Sequence, residues 1–181
     1  DAWPDGLTIV DQRLEEAELD RALEQAQTEL EELEAAGILP PAFAEIIDGV
    51  TGNRVYLRDQ ADLSSAGLLE LNAYRKGTGE DVRLYLDGES GRILAISGWF
   101  PGEPLDPEAV GRAFLDRLGL AYETERVEPP SASAFFTLTE SAAFYQVFRV
   151  GSFLQIAPRI DWQRVDKESG MLYEAMYGLV M

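Results

Sequence analysis

The amino-acid sequence predicts an α+β fold of two related modules, each a helix packed on an antiparallel β-sheet. Three observations support this prediction. Two segments have the apolar spacing of amphipathic helices, several short segments alternate between apolar and polar residues, and one hairpin-like motif occurs twice. Since a helix precedes each group of strand-like segments, we place the first module at residues 1–102 and the second at residues 103–181.

The first helix is predicted over about residues 11–36, where apolar residues recur at alternating intervals of four and three. These residues are Leu19, Leu23, Ala26, Leu30 and Leu33. Asp11 is the predicted N-cap, and Gly37 is predicted to end the helix ahead of two prolines. The predicted helix also holds ten acidic residues and two arginines, so most of its surface is expected to be acidic.

The remaining elements follow from local pattern. After a short helical turn at residues 42–47, strands of the first module are predicted at residues 54–58, 68–74, 82–86 and 92–99. A second helix is predicted at residues 106–118, with Asp106 as N-cap, Pro107 at the first helical position and Gly119 after the end. Strands of the second module are predicted at residues 134–139, 143–150, 153–157, 160–165 and 171–177.

A short motif marks both halves. Residues 86–93 read LDGESGRI and residues 165–172 read VDKESGML, at a constant offset of 79. Asp87 and Asp166 are expected to accept hydrogen bonds from backbone N–H groups of a turn, and Gly91 and Gly170 to supply the positive φ that closes it. The motif therefore predicts a hairpin in each module and favours an internal duplication. A Ca²⁺ or Mg²⁺ site at these oxygens is the weaker interpretation, since EF-hand spacing is missing.

A helix followed by antiparallel strands, with a hairpin of the form apolar-Asp-x-x-Ser-Gly-x-apolar, resembles the PepSY domain. The tandem arrangement is similar to the extracytoplasmic parts of the YycH and YycI regulators, which restrain a membrane sensor kinase. This resemblance implies an α+β fold, an extracytoplasmic location and a role in binding or inhibiting a protease or kinase partner. It supplies no catalytic residue.

Charge and missing residue types restrict the function. The chain has 15 basic and 33 acidic residues, a formal net charge of −18, and neither His nor Cys. Such a chain is repelled by nucleic-acid phosphates, and it lacks the ligands of zinc sites and the histidine of Ser-His-Asp or Cys-His catalysis. No apolar run is long enough to span a bilayer, although the start at Asp1 leaves room for a removed signal peptide or anchor. We predict no cofactor, no nucleic-acid partner and no enzymatic activity.

Two regions are candidate contact surfaces for a protein partner. We expect that partner to have a basic surface. The first is the acidic helix, with Glu24, Glu31 and Glu34 as the residues to test. The second is a cleft near Trp99 and Phe100, lined by aromatic residues of the second half. The alternative interpretation of these aromatic residues is that they form the core of a small sheet. We predict a binding or regulatory, inhibitor-like protein outside the cytoplasm. An intracellular acidic inhibitor, immunity-type protein or nucleic-acid mimic is the alternative.

Overall fold

The computed structural model describes residues 7–39, 47–59, 65–75, 81–99, 106–125, 133–141, 143–150, 153–160, 175–176 and 179. Within them lie nine β-strands and two α-helices. In chain order these are β1 (Leu7–Arg13), α1 (Glu16–Ala35), β2 (Ile47–Asp59), β3 (Ser65–Arg75), β4 (Asp81–Asp87), β5 (Ile93–Trp99), α2 (Pro107–Leu118), β6 (Tyr122–Glu125), β7 (Ser133–Leu138), β8 (Ala143–Val150) and β9 (Phe153–Ile160).

All nine strands belong to one antiparallel sheet, in the order β1-β2-β3-β4-β5-β9-β8-β7-β6. The prediction of two modules, each a helix on its own sheet, is therefore wrong. The two halves join where β5 pairs with β9, with Ile96 opposite Ile156 and Trp99 opposite Phe153. The alternation of apolar and polar residues within a strand does not encode which sheet edges meet. When two edges pair, their backbone N–H and C=O groups form hydrogen bonds that two separate sheets would leave unmade. The predicted boundary between residues 102 and 103 lies outside the described residues.

The start of the chain also departs from prediction. Asp11 is not an N-cap but a residue of β1, where it pairs with Val55 of β2. Consecutive β-branched residues at positions 8–10 favour a strand, and β2 offers its edge as a partner. As a result α1 begins at Glu16 rather than near residue 11, and its N-cap, Glu15, makes no side-chain capping hydrogen bond. Gly37, with φ of 75°, lies just beyond the helix end as predicted.

The second helix is confirmed with its caps. The Asp106 side chain accepts a hydrogen bond from the backbone N–H of Glu108, and Gly119 has φ of 70°. The predicted strands that became β2 to β5 and β7 to β9 are confirmed, β8 with its predicted ends and the others with shifted ends. The strand β6, only four residues long, was not predicted. The predicted strand at residues 171–177 is wrong at Ala175 and Met176, which are helical. Residues 161–174 lie outside the described residues, and so do residues 42–46 of the helical turn predicted at 42–47. Its last residue, Ile47, begins β2 instead.

Alternation gives the sheet two faces. The helical face carries both helices and the main core, to which α1 contributes Ala22, Ala26, Leu30 and Leu33 and α2 contributes Val110, Phe114 and Leu115. The second face has a smaller buried cluster that includes Val55, Leu57, Leu68 and Tyr85. Fully burying one such large apolar side chain stabilises the fold by about 1.5–3 kcal/mol.

Two glycines allow the helices to approach the sheet. A Cβ at Gly52 would lie 2.7 Å from a methyl of Leu71 and 3.0 Å from one of Leu19, so α1 packs directly on β2 there. A Cβ at Gly111 would overlap the ring of Phe136, so α2 packs equally closely on β7. These contacts hold α1 and its acidic surface at a defined place over the first half of the sheet.

Candidate functional site

The turn between β4 and β5 is built by the first copy of the repeated motif. Asp87 Oδ1 accepts a hydrogen bond from the backbone N–H of Glu89 at 3.0 Å, and Asp87 Oδ2 accepts one from the Ser90 hydroxyl at 2.8 Å. Gly91 closes the turn with φ of 73°, and its N–H donates to the carbonyl of Asp87. Both carboxylate oxygens of Asp87 are thus occupied in holding the turn, which is the role that the sequence assigned to Asp87 and Gly91. Asp166 and Gly170 lie outside the described residues.

This turn lies against α1. A Cβ at Gly91 would lie 2.6 Å from Cγ of Gln25, so only glycine combines the positive φ with this close approach. Between the turn and the helix runs an open groove of about 220 Å³. It is lined by α1, by residues of β2 and β3, and by the turn; its charged residues are Glu18, Arg21, Arg54 and Glu89. The helix and the turn are separate features of the sequence, and the tertiary structure brings them together.

One carboxylate of α1 is buried, and the sequence did not predict it. Glu29 of α1 is 3% exposed. It forms ion pairs with Arg92, just before β5, and with Arg117 in the last turn of α2, and it accepts a hydrogen bond from the backbone N–H of Ile93 at 3.0 Å. One signal was available: Glu29 lies seven residues after Ala22 and four before Leu33, within the buried stripe of the helix.

Both arginines that pair with Glu29 also donate hydrogen bonds to backbone carbonyls. Arg117 donates to the carbonyl of Ile93 at 3.0 Å, and Arg92 donates to the carbonyl of Arg117 at 2.9 Å. The guanidinium of Arg117 also lies over the ring of Phe114, 5.4 Å from its centroid. Glu29 therefore connects α1, β5 and α2 through charge-assisted hydrogen bonds, the strongest kind in proteins.

The outward side of α1 contrasts with this buried site. Asp20, Glu24 and Glu31 are exposed, and their spacing of four and seven residues aligns them along one stripe. Glu31 accepts a hydrogen bond from Gln27, but within the described residues no ion pair involves any of the three. Glu34 is half-buried. The last turn of α1 contains no basic residue.

Trp99 lies away from this groove. It is the last residue of β5, on the second face of the sheet, and its side chain is 42% exposed. Its ring contacts that of Phe153 edge-on, with centroids 5.5 Å apart. Phe100 lies outside the described residues. The structure therefore does not bring Trp99 together with the acidic stripe.

The aromatic residues of the second half divide between the two faces. Phe136 and Tyr145 are fully buried in the main core, whereas the residues on the second face are half-buried; these are Phe135, Phe144, Phe148 and Phe153. Tyr145 donates to the carbonyl of Leu94 at 2.7 Å. Burial raises the pKa of the Tyr145 phenol far above its ordinary value, and burial beside Glu70 raises the pKa of Tyr85. Both phenols are therefore neutral at physiological pH.

Three comparisons, with protein-family models, with curated proteins and with solved structures, each found no match. The resemblance to PepSY domains stays a prediction. Neither helix that the structure describes has the length and apolar character needed to cross a membrane. Across the same described ranges, no three Asp or Glu side chains gather as a metal site. The chemical feature of this region is a row of exposed carboxylates on α1, close to the groove between α1 and the β4–β5 turn.

Proposed function

We propose that this chain is a non-enzymatic protein-binding module, and that the outer stripe of α1 recognises a basic surface of its partner. The observation that carries the proposal is a contrast between the two sides of the helix. The acids that face the fold are paired with arginines: Glu18 with Arg54 at 3.6 Å, and Glu29 with Arg92 and Arg117. The acids of the outer stripe face solvent without a cationic partner among the described residues.

The helix macrodipole does not favour the acids near the end of α1. Glu31 and Glu34 lie towards the C-terminal end of α1, where the helix macrodipole disfavours negative charge by about 0.3–1 kcal/mol per group. Their placement is therefore not explained by the helix macrodipole. An array of carboxylates held at fixed positions attracts a positively charged partner and orients it during encounter.

The test must separate a local site from the effect of the net charge of −18. The site variant carries Glu24→Lys and Glu31→Lys. The matched control carries Glu123→Lys and Glu140→Lys, which reverses two exposed acids of the second half and changes the net charge equally. The probe is a fluorescent peptide of alternating lysine and valine residues, titrated at low and at physiological salt.

We expect the site variant to bind the peptide about tenfold more weakly, because two contacts of about 0.7 kcal/mol each are replaced by repulsion. The control should remain within about twofold of the wild type. Equal losses in both variants would contradict the proposal, since the peptide would then respond to net charge alone. Affinity capture from the native host with the same pair of variants extends the test to the natural partner.

The proposed location is extracytoplasmic, as the resemblance to PepSY domains implies. Fractionation of the native host with an antibody against the chain tests it. Recovery in the cytoplasm alone would favour the intracellular acidic inhibitor instead.

A further inference from the structure

The two edges of the sheet differ in how they are protected. Edge strands are usually shortened, bulged, or interrupted by proline, because their open backbone groups would otherwise pair with other chains. At one edge β6 is only four residues long and carries two glutamates. At the other edge β1 has seven residues, contains no proline, and pairs with β2 from Leu7 to Arg13 without a shift in register. Within the described part of the chain no strand pairs with the outer side of β1.

An exposed apolar pair lies beside this edge. Val10 is 52% exposed and Tyr56 is 43% exposed, and the two are directly opposite one another in the register of β1 and β2. Directly opposite residues share a face of a sheet, so their side chains lie next to each other. Four large apolar residues of the described chain are exposed, and these two form one patch at the open edge.

The charge around the patch selects the partner. Asp11 on β1 is exposed, and three further exposed acids follow where the chain enters α1, namely Glu15, Glu16 and Asp20. The exposed opposing charges there are Arg13 and Arg21, while Arg54 is paired with Glu18. The surroundings of the edge are therefore apolar at the centre and acidic towards α1. A second copy of this chain would bring its own acids against these.

We infer that an extended, basic segment of a partner polypeptide adds to the outer edge of β1 as a further strand. Backbone hydrogen bonds to β1 give affinity, and an apolar side chain of the segment covers Val10 and Tyr56 on the helical face of the sheet. The lysine or arginine side chains that alternate with it point to the other face, where Asp11 is exposed, and the acids at the start of α1 attract the segment through their field. The basic character of the segment rests on the proposed function. The addition of a strand is inferred independently, from the edge position of β1 and from the exposed pair Val10 and Tyr56.

Three measurements use the intact chain and the alternating lysine–valine peptide. Hydrogen exchange should show about tenfold slower exchange of backbone amides within β1 when the peptide is bound. A peptide methylated at alternate backbone nitrogens cannot donate hydrogen bonds to the edge, so it should bind about tenfold more weakly. Val10→Lys should weaken binding comparably, whereas the matched control Val150→Lys, at a residue of similar exposure elsewhere on the sheet, should not.

The outcomes distinguish this inference from the proposed function. If the Glu24 and Glu31 reversals weaken binding while β1 gains no protection and the methylated peptide binds normally, strand addition is wrong and the acidic stripe alone is the site. If β1 is protected in concentrated peptide-free samples, together with formation of a dimer, a second copy occupies the edge and the inference is overturned. Absence of any peptide binding overturns both.

Discussion

Glu29 on α1 accepts a hydrogen bond from the backbone N–H of Ile93 at 3.0 Å, although 64 positions separate the two residues in the chain. The same carboxylate forms the ion pairs with Arg92 and Arg117. A helix with several exposed acids is thus connected to β5 and α2 by a buried one. The position of the proposed binding stripe depends on this buried contact.

Glu29→Gln should destabilise the protein by about 3 kcal/mol, because it keeps the shape of the side chain but leaves two arginines without their counter-charge. Chemical denaturation monitored by circular dichroism measures the free energy of unfolding. Glu31→Gln is the matched control on the exposed side of the same helix, and it should change that free energy by less than about 0.5 kcal/mol. Similar effects of the two substitutions would contradict the role of Glu29.

Gly91→Ala and Gly119→Ala form a second matched pair. Both glycines have positive φ, 73° and 70°, so alanine at either costs about 1–2 kcal/mol of backbone strain. A Cβ at Gly119 would meet open space, whereas one at Gly91 would collide with Gln25. We expect Gly91→Ala to be the more destabilising by about 1 kcal/mol. Adding Gln25→Ala should remove the difference; if it persists, the turn does not pack on α1 as described.

Gly111→Ala tests the contact between α2 and the sheet. Alanine favours a helix over glycine by about 0.5–1 kcal/mol, so an unobstructed site would be stabilised. Here the new methyl overlaps the ring of Phe136, which is fully buried, so we expect a net loss of about 1–3 kcal/mol. Thermal unfolding measures it, and Phe136→Leu in the same chain should recover part of the loss. A stabilised Gly111→Ala variant would show that α2 lies farther from β7.

The buried phenol of Tyr145 should make the free energy of unfolding depend on pH in the alkaline range. Because burial raises the pKa of this phenol in the folded protein, its contribution is fully present below the unfolded pKa of 10.0 and is lost as pH rises above that value. The free energy of unfolding should therefore fall above about pH 10, with Tyr145 contributing up to about 1.4 kcal/mol per pH unit. Urea unfolding between neutral pH and about pH 11 measures this slope.

Tyr145→Phe should cost about 1–3 kcal/mol at neutral pH, since the buried carbonyl of Leu94 loses its donor. The same substitution should flatten the alkaline slope, although Tyr85, whose pKa is also raised, keeps part of it. An unchanged slope in Tyr145→Phe would mean that the phenol is accessible to water in the folded protein.

The elements that the sequence predicted well are those defined by neighbours in the chain. The spacing from Asp106 to Gly119 contains every signal of α2, because caps and the apolar stripe lie within the same few turns. The β4–β5 turn is equally local, since Asp87 and Gly91 interact across four positions. The prediction for residues 11–13 was wrong for the opposite reason: the β-branched run ends at residue 10, and pairing with β2 extends the strand through Arg13.

The candidate site was predictable only in part. The acidic helix and the turn are visible in the sequence, but their contact at Gln25 and Gly91 is not. Glu29 is one of ten acidic residues in the predicted helix, and its partners Ile93 and Arg117 lie 64 and 88 positions away. No local pattern reports which carboxylate meets an arginine across the fold.

The sequence by itself determined the α+β composition, both helices, most strands and the acidity of α1, because these depend on propensity, alternation and charge within short windows. Only the tertiary structure decided that β5 and β9 join two sets of strands into one sheet, that β1 lies at one end of the strand order, and that Glu29 lies inside while Glu24 and Glu31 lie outside. The physical reason is that strand edges and buried charges are satisfied by partners anywhere in the chain. Their choice depends on the free energy of the whole fold.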